Sequence, residues 1–125
     1  PGGTMGANSA LMITQTWKFT GTAGTKIRSI RASTSSGDTS GGTVYQSFTG
    51  ANTNLQSYNS CTIHNANSGS AKSGSDVGVF GGAAGAIPTS SINTGADFYL
   101  NFNVKLANSG DSGQLVGYIV EMFTP

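Results

Sequence analysis

The chain is poor in cysteine and in charge. A single cysteine in 125 residues cannot form an internal disulfide framework, so folding does not require an oxidising compartment. Charged residues make up 9% of the chain, against the roughly 25% usual in globular domains. Six basic and five acidic residues give a net charge of +1. Without the basic stripe that nucleic-acid binding requires, we expect no nucleic-acid partner.

Long apolar runs and helical periodicity are also missing. The longest uninterrupted apolar stretch is a handful of residues, whereas a membrane-spanning helix needs about 20. We therefore expect no membrane insertion and see no targeting segment. We expect residues 1–125 to form a single domain, because a chain of this size can bury a sizeable core. We expect Pro1 to be either a processed end or the edge of a fragment of a larger protein.

Short alternating segments and turn-forming residues dominate the chain. Nineteen glycines without a Gly-X-Y period indicate turns between many short strands. Alternation of apolar and polar residues predicts strands at 11–19, 43–48 and 98–106, and further strands are expected at 26–32, 76–80 and 115–123. Segments 55–58 and 61–64 form either one bent strand or a tight hairpin. We expect hairpins between the first two strands and between the last two.

This pattern predicts an all-β protein. Its fold is expected to be an antiparallel β-sandwich, a jelly-roll of about eight strands in two four-stranded sheets. Trp17, Phe19 and Cys61 are expected in the core. One buried face is predicted to consist of Phe98, Leu100, Phe102, Val104 and Leu106, with Ile13 and Trp17 opposite.

Residues able to perform catalysis or bind metal are scattered. The sole histidine, His64, and Cys61 would point to opposite faces of a strand, so they cannot form a nucleophile and base pair. Segment 21–26 lacks the order of a phosphate-binding loop and indicates a turn. Isolated aspartates favour turn capping. We therefore predict no catalytic residue, no metal site, no cofactor and no enzymatic activity.

The last predicted strand is apolar on both faces. Leu115, Ile119 and Phe123 would form one face, while Val116, Tyr118, Val120 and Met122 would form the other. A strand that is apolar on both sides must be covered on both sides. We predict that Leu115, Ile119 and Phe123 lie at a subunit interface. Two alternatives are cover by residues 81–87 and a bulge at Gly117 that joins all seven side chains into one core.

Two tyrosines are candidates for ligand binding. Tyr45 and Tyr58 each offer a ring face and a hydroxyl that could stack on a sugar at an exposed position. Core packing is the competing interpretation for each ring.

Both ends of the chain carry recurrent patterns. The N-terminal segment has a Gly-x-Met-Gly-x-Asn order at residues 3–8, and residues 118–121 have a Tyr-x-Val-Glu order. With Ile92-Asn93-Thr94 and the alternating run 100–106, they resemble a domain found in structural proteins of tailed bacteriophages. The strand at 26–31 and the Ser/Gly-rich middle depart from that pattern, so a receptor contact is left unassigned.

The resemblance implies a jelly-roll or tumour-necrosis-factor-like sandwich, often trimeric, on a tail fibre, tail tip or capsid surface. It implies a location in the virion and contacts with other virion proteins. Host attachment through a surface glycan is a further hypothesis, to which no residue is assigned. The leading hypothesis is therefore a non-enzymatic structural module that assembles with its own copies. The alternative is a monomeric carbohydrate-binding module with Tyr45 or Tyr58 as the stacking platform.

Overall fold

The computed structural model describes residues 5–65, 67–68, 72–76, 89–90 and 92–125. These residues form strands and no helix, and every strand pairing is antiparallel. The all-β prediction is confirmed. The strands are β1 (Ala10–Thr20), β2 (Lys26–Ser33), β3 (Thr43–Gly50), β4 (Leu55–Asn65), β5 (Lys72–Asp76), β6 (Thr89–Ser90), β7 (Tyr99–Leu106) and β8 (Ser112–Phe123).

The strands form two sheets, as a β-sandwich requires. One has the order β6-β5-β4-β1-β8 and the other the order β3-β2-β7. The division is thus five and three within the described part of the chain, where we expected four and four. The difference arises because β5 pairs with β4 and the short β6 pairs with β5, which extends the first sheet.

Both predicted hairpins are wrong. β1 pairs with β4 and β8, while β2 pairs with β3 and β7, so β1 and β2 belong to different sheets. For the same reason β7 and β8 do not pair with each other. The connections 21–25 and 107–111 instead cross from one sheet to the other. They are joined by a hydrogen bond of 2.9 Å from the amide of Ala107 to the carbonyl of Thr25.

The structure decides between the two alternatives for segments 55–58 and 61–64, and it describes only one residue of the strand predicted at 76–80. Residues 55–65 form the single strand β4, which pairs with β1 from Phe19↔Leu55 to Ala10↔His64. Of the strand predicted at 76–80, Asp76 ends β5. Residues 77–80 lie outside the described residues.

The core lies between the two sheets. Its buried members include Ile13 and Cys61 from the larger sheet and Ile30 from the smaller one. Trp17 and Phe19 are also buried, with ring centroids 6.0 Å apart. The predictions for Ile13, Trp17, Phe19 and Cys61 are confirmed. Alternation in β1 therefore identified the buried face correctly.

Strand β7 has the predicted face but less burial than expected. Register pairs Leu100, Phe102, Val104 and Leu106 with the buried residues of β2. Nevertheless Val104 is 40% exposed, and the other three are half-buried. The reason is that β7 is an edge strand of its sheet. Phe98 is half-buried as well.

Polar side chains link the two sheets through the interior. The amide of Gln15 in β1 donates to Oε1 of Gln46 in β3 at 2.8 Å. Nε of Arg28 in β2 donates to the hydroxyl of Ser57 in β4, also at 2.8 Å. Trp17 donates to Oε1 of Gln15 at 2.6 Å. Because these groups are buried, such bonds offset the desolvation that burial costs and fix how the sheets face each other.

Candidate functional site

Large apolar side chains are exposed along β8. Tyr118 is 60% exposed and Ile119 58%. The strand lies at the edge of the five-stranded sheet. A monomer rarely leaves a contiguous apolar patch of this kind in water unless it serves as an interaction surface. The exposed apolar residues of β8 are Val116, Tyr118, Ile119, Val120, Met122 and Phe123.

A bulge decides which face each side chain occupies. Thr16 pairs with Gly117 and Trp17 pairs with Leu115, so Val116 is the additional residue. Since paired residues in adjacent strands share a face, Leu115 lies on the inner face with Trp17. Ile119 and Phe123 lie on the outer face, where Ile119 pairs with Thr14. The three residues predicted to share one face are therefore divided between two faces.

The inner face of β8 lies at the side of the sandwich where β7 and β8 are edge strands of their sheets. Residues 81–87, one of the alternatives for covering β8, lie outside the described residues. Tyr118, Val120 and Met122 pair with the buried β1 residues Gln15, Ile13 and Leu11 respectively, yet all three remain substantially exposed. From the opposite sheet, the Phe102 ring approaches the Tyr118 ring to 5.1 Å between centroids, with the planes tilted by 37°. Within the part of the chain that the structure describes, two edge strands thus leave one side of the core exposed. We name this surface the β7/β8 flank: Phe102, Val104, Tyr118, Val120 and Met122.

The outer face beside β8 carries a shallow groove. Tyr58 in β4, Thr16 in β1 and Gly117 in β8 form one row across the sheet. A Cβ at Gly117 would meet no atom within 4 Å. The lack of a side chain there leaves space above the sheet at the β8 end of the row, next to Thr16. Thr14 and Ile119 also line this groove of about 290 Å³. It combines an aromatic ring with two threonine hydroxyls.

The two tyrosine candidates have opposite environments. A register irregularity after Ile30 leaves Tyr45 between the paired residues Val44 and Gln46, and its side chain is 1% exposed. Burial raises the pKa of the Tyr45 hydroxyl. A ring so enclosed offers no face to a sugar, so the stacking prediction is wrong for Tyr45. Tyr58 is 73% exposed and keeps that possibility.

Lys26 makes hydrogen bonds and an ion pair within the protein; it ends the glycine-containing segment 21–26. Its ammonium donates to the carbonyls of Thr22 at 2.6 Å, Gly24 at 3.1 Å and Asn52 at 3.1 Å. It also lies 3.3 Å from Oδ2 of Asp111. The segment connects β1 in one sheet to β2 in the other, and so it is not the expected hairpin turn. A phosphate would have to compete with four internal partners for this buried ammonium.

The structure separates Cys61 and His64, the two residues considered as a nucleophile and base pair. Cys61 is buried and His64 is exposed, and they lie on opposite faces of β4 as predicted. Among the residues that the structure describes, no group of three or more His, Cys, Asp or Glu side chains could hold a metal ion.

Buried Lys26 and Arg28 were not identified from the sequence. Their positions in the strand could have revealed the burial, because every second residue of β2 lies on one face, and Lys26 and Arg28 share that face with the buried Ile30 and Ala32.

Comparisons leave the site without a known counterpart. Over the described residues, no helix is long and apolar enough to span a membrane. No protein-family model matches the chain, and neither a curated protein nor a solved structure matches it. Function must therefore be inferred from the surfaces and the sequence patterns of this molecule.

Proposed function

We propose that the chain is a non-enzymatic structural module of a tailed-bacteriophage virion that assembles with its own copies through the β7/β8 flank and the outer face of β8. The observation that carries the proposal is the exposure of apolar side chains on both faces of β8. The terminal sequence patterns support the assignment to a virion. The same patterns favour a jelly-roll connectivity and a trimer on a fibre, tail tip or capsid surface.

Magnitudes favour an interface that uses more than one face. Burying the exposed part of a large apolar side chain contributes roughly 1 kcal/mol. The six exposed residues of β8 on each of two copies would contribute on the order of 10 kcal/mol. Association costs about 4–15 kcal/mol. Contacts from one face of β8 would be marginal, so a stable assembly needs the outer face and the flank together.

The two surfaces also favour a ring over a dimer. In a two-fold dimer one continuous patch contacts its own copy, and the flank and the outer face lie on opposite sides of β8, so one of them would remain in water. If the flank of one copy packs on the outer face of the next, both surfaces are covered. Such a heterologous contact forms a closed ring when its rotation closes. A trimer is the smallest ring that this arrangement produces without two-fold symmetry.

The experiment introduces a charge at the proposed interface. Ile119→Asp would bury an unpaired carboxylate in the assembly, while in a free copy the side chain already faces solvent. We expect light scattering after size exclusion to show a folded monomer, with the strand signal in circular dichroism unchanged. The matched control is Gln56→Asp, an exposed outer-face position on β4 of the same sheet, which should stay assembled. A variant that unfolds, or one that assembles like the control, contradicts the proposal.

A monomeric carbohydrate-binding module is the second candidate. It is favoured by the 73% exposure of Tyr58 beside the groove that contains Thr14 and Thr16. Sugar rings commonly need such an aromatic face together with hydroxyl partners. This candidate predicts a monomer whose saccharide binding is abolished by Tyr58→Ala. It is contradicted if the wild type is assembled and Tyr58→Ala leaves binding unchanged.

A further inference from the structure

A second concave surface lies on the outer face of the three-stranded sheet. It encloses about 370 Å³, which is within the range of small-ligand sites. Ser47, Ser29 and Asn103 form its floor, and register places them directly opposite one another across β3, β2 and β7. These three side chains are short, so they leave space above the sheet, and each carries a hydrogen-bonding group. We name this surface the sheet groove; no residue of β8 lines it, and it meets the β7/β8 flank only at Val104.

Two cationic side chains border the sheet groove. Lys105 pairs with Ile27 on the side of the floor toward the start of β2, and Arg31 lies on the other side. Nη1 of Arg31 donates to the carbonyls of Ser40 and Gly41, which holds the guanidinium in place. Nε of Arg31 is buried and has no hydrogen-bond partner among the described residues. A buried donor of this kind costs free energy until a ligand or water accepts from it.

The nearby acid leaves the border cationic. Asp38 attracts Arg31 electrostatically, but its carboxylate is turned to its own loop. It accepts from the hydroxyl of Ser33 at 2.6 Å and from the amides of Ser40 at 3.0 Å and Gly41 at 2.6 Å. Lys105 is exposed, so its ammonium remains for an anionic ligand, and Arg31 adds the positive charge of its guanidinium to the border.

We infer that the sheet groove binds a saccharide unit that carries a carboxylate. The serine hydroxyls match the hydroxyls of a sugar ring, since each can donate or accept. Nδ2 of Asn103 donates to the carbonyl of Asp38 at 3.0 Å, which leaves the amide oxygen as an acceptor for the ligand. Lys105 and Arg31 match the carboxylate, because charge-assisted hydrogen bonds are the stronger ones. The inference goes beyond the assembly function and does not depend on it, since both faces of β8 are left out.

The test is a titration of the isotope-labelled full chain followed by nuclear magnetic resonance. The probes are D-glucuronate, D-glucose and inorganic phosphate at matched ionic strength. We expect amide shifts at Ser29, Ser47 and Asn103 with glucuronate, with a Kd on the order of 1 mM for a ligand of this size. Glucose should bind more weakly because it lacks the carboxylate. Equal shifts with phosphate alone would show a simple anion patch, and equal shifts with glucose would remove the role of charge; either overturns the inference.

Variants locate the binding. Lys105→Gln should weaken glucuronate binding about two- to fivefold, as loss of one exposed ion pair implies. Lys18→Gln is the matched control, because Lys18 is an exposed lysine on β1 in the other sheet. Ser47→Leu should abolish binding by filling the sheet groove at an exposed position while the circular dichroism spectrum is unchanged. Equal loss in both lysine variants, or full binding by Ser47→Leu, would overturn the inference. None of these results depends on whether the chain assembles.

Discussion

The ammonium of Lys26 lies 3.3 Å from Oδ2 of Asp111, and neither side chain is exposed to solvent. Lys26 begins β2 and Asp111 directly precedes β8. The pair therefore ties together the two connections that cross from one sheet to the other. Oδ1 of Asp111 also accepts from the amide and hydroxyl of Thr22, at 2.6 and 2.8 Å. This junction explains how the chain can change sheets twice at one end of the sandwich.

Asp111→Asn is expected to lower the midpoint of thermal unfolding. The substitution leaves the buried ammonium of Lys26 with carbonyl partners only, and an uncompensated buried charge is strongly destabilising. Removing both charges in Lys26→Met/Asp111→Leu should cost less than the sum of the two single changes. Differential scanning calorimetry of the wild type, Lys26→Met, Asp111→Leu and the double variant measures this coupling. Lys18→Met, at an exposed lysine of β1, should leave the midpoint nearly unchanged; additive losses would show that the pair contributes nothing.

Stability is expected to fall in acid. The amide of Thr22 lowers the pKa of Asp111 from 3.8, with further lowering by the Thr22 hydroxyl and by Lys26. The hydroxyl of Ser33 and the amides of Gly41 and Ser40 lower the pKa of Asp38 in the same way. A lowered folded-state pKa means that the unfolded chain binds more protons, so stability rises with pH until the unfolded carboxylates are ionised.

This contribution is therefore complete above the unfolded-state pKa near 3.8 and is lost as pH falls through the lower folded-state value. Urea unfolding at a series of pH values below neutrality measures it. Asp111→Asn should flatten the acid limb of the curve. An unchanged acid limb in that variant would assign the dependence to other carboxyl groups.

Ile13→Ala is expected to destabilise the fold by about 2–5 kcal/mol, because it opens a cavity in a core where Ile13 is completely buried. Ile13→Val removes one methylene and should cost about 0.5–1.5 kcal/mol. Urea unfolding monitored by tryptophan fluorescence reports both values, since Trp17 is buried in the same strand. Similar small losses in both variants would mean that the site relaxes to fill the space.

Phe102→Ala is expected to cost less than a fully buried phenylalanine would. The ring is half-buried and contacts Tyr118 on the β7/β8 flank. We expect about 1–3 kcal/mol, below the roughly 3–5 kcal/mol of complete burial. The loss should grow with protein concentration if the wild type gains stability by assembling. A loss independent of concentration would mean that Phe102 stabilises only its own copy.

Alternation predicted the strands because a period of two is a local property of sequence. Trp17 and Phe19 are buried as their phase in β1 requires. Pairing could not be predicted in the same way, because it depends on contacts between distant segments. Segment 21–25 contains ordinary turn residues, and only Asp111, far along the chain, shows why it crosses between the sheets.

Two bulges account for the errors at the predicted sites. One additional residue in β8, Val116, moves Leu115 to the face opposite Ile119. Another in β3 turns Tyr45 into the core. A bulge shifts every later side chain by one position, and its location is set by the partner strand. The exposure of Tyr58 could not be predicted from the sequence either. Its neighbours in β4 are both polar, so no alternation indicates which face is buried.

Sedimentation equilibrium of the unmodified chain across a range of concentrations measures whether the chain assembles, as the exposed apolar side chains of β8 predict. We expect a mass of three times the 12.6 kDa monomer at micromolar concentration, with dissociation only on dilution. A single species of 12.6 kDa throughout would contradict it. That result would leave the apolar side chains of β8 in water and would favour the monomeric carbohydrate-binding module.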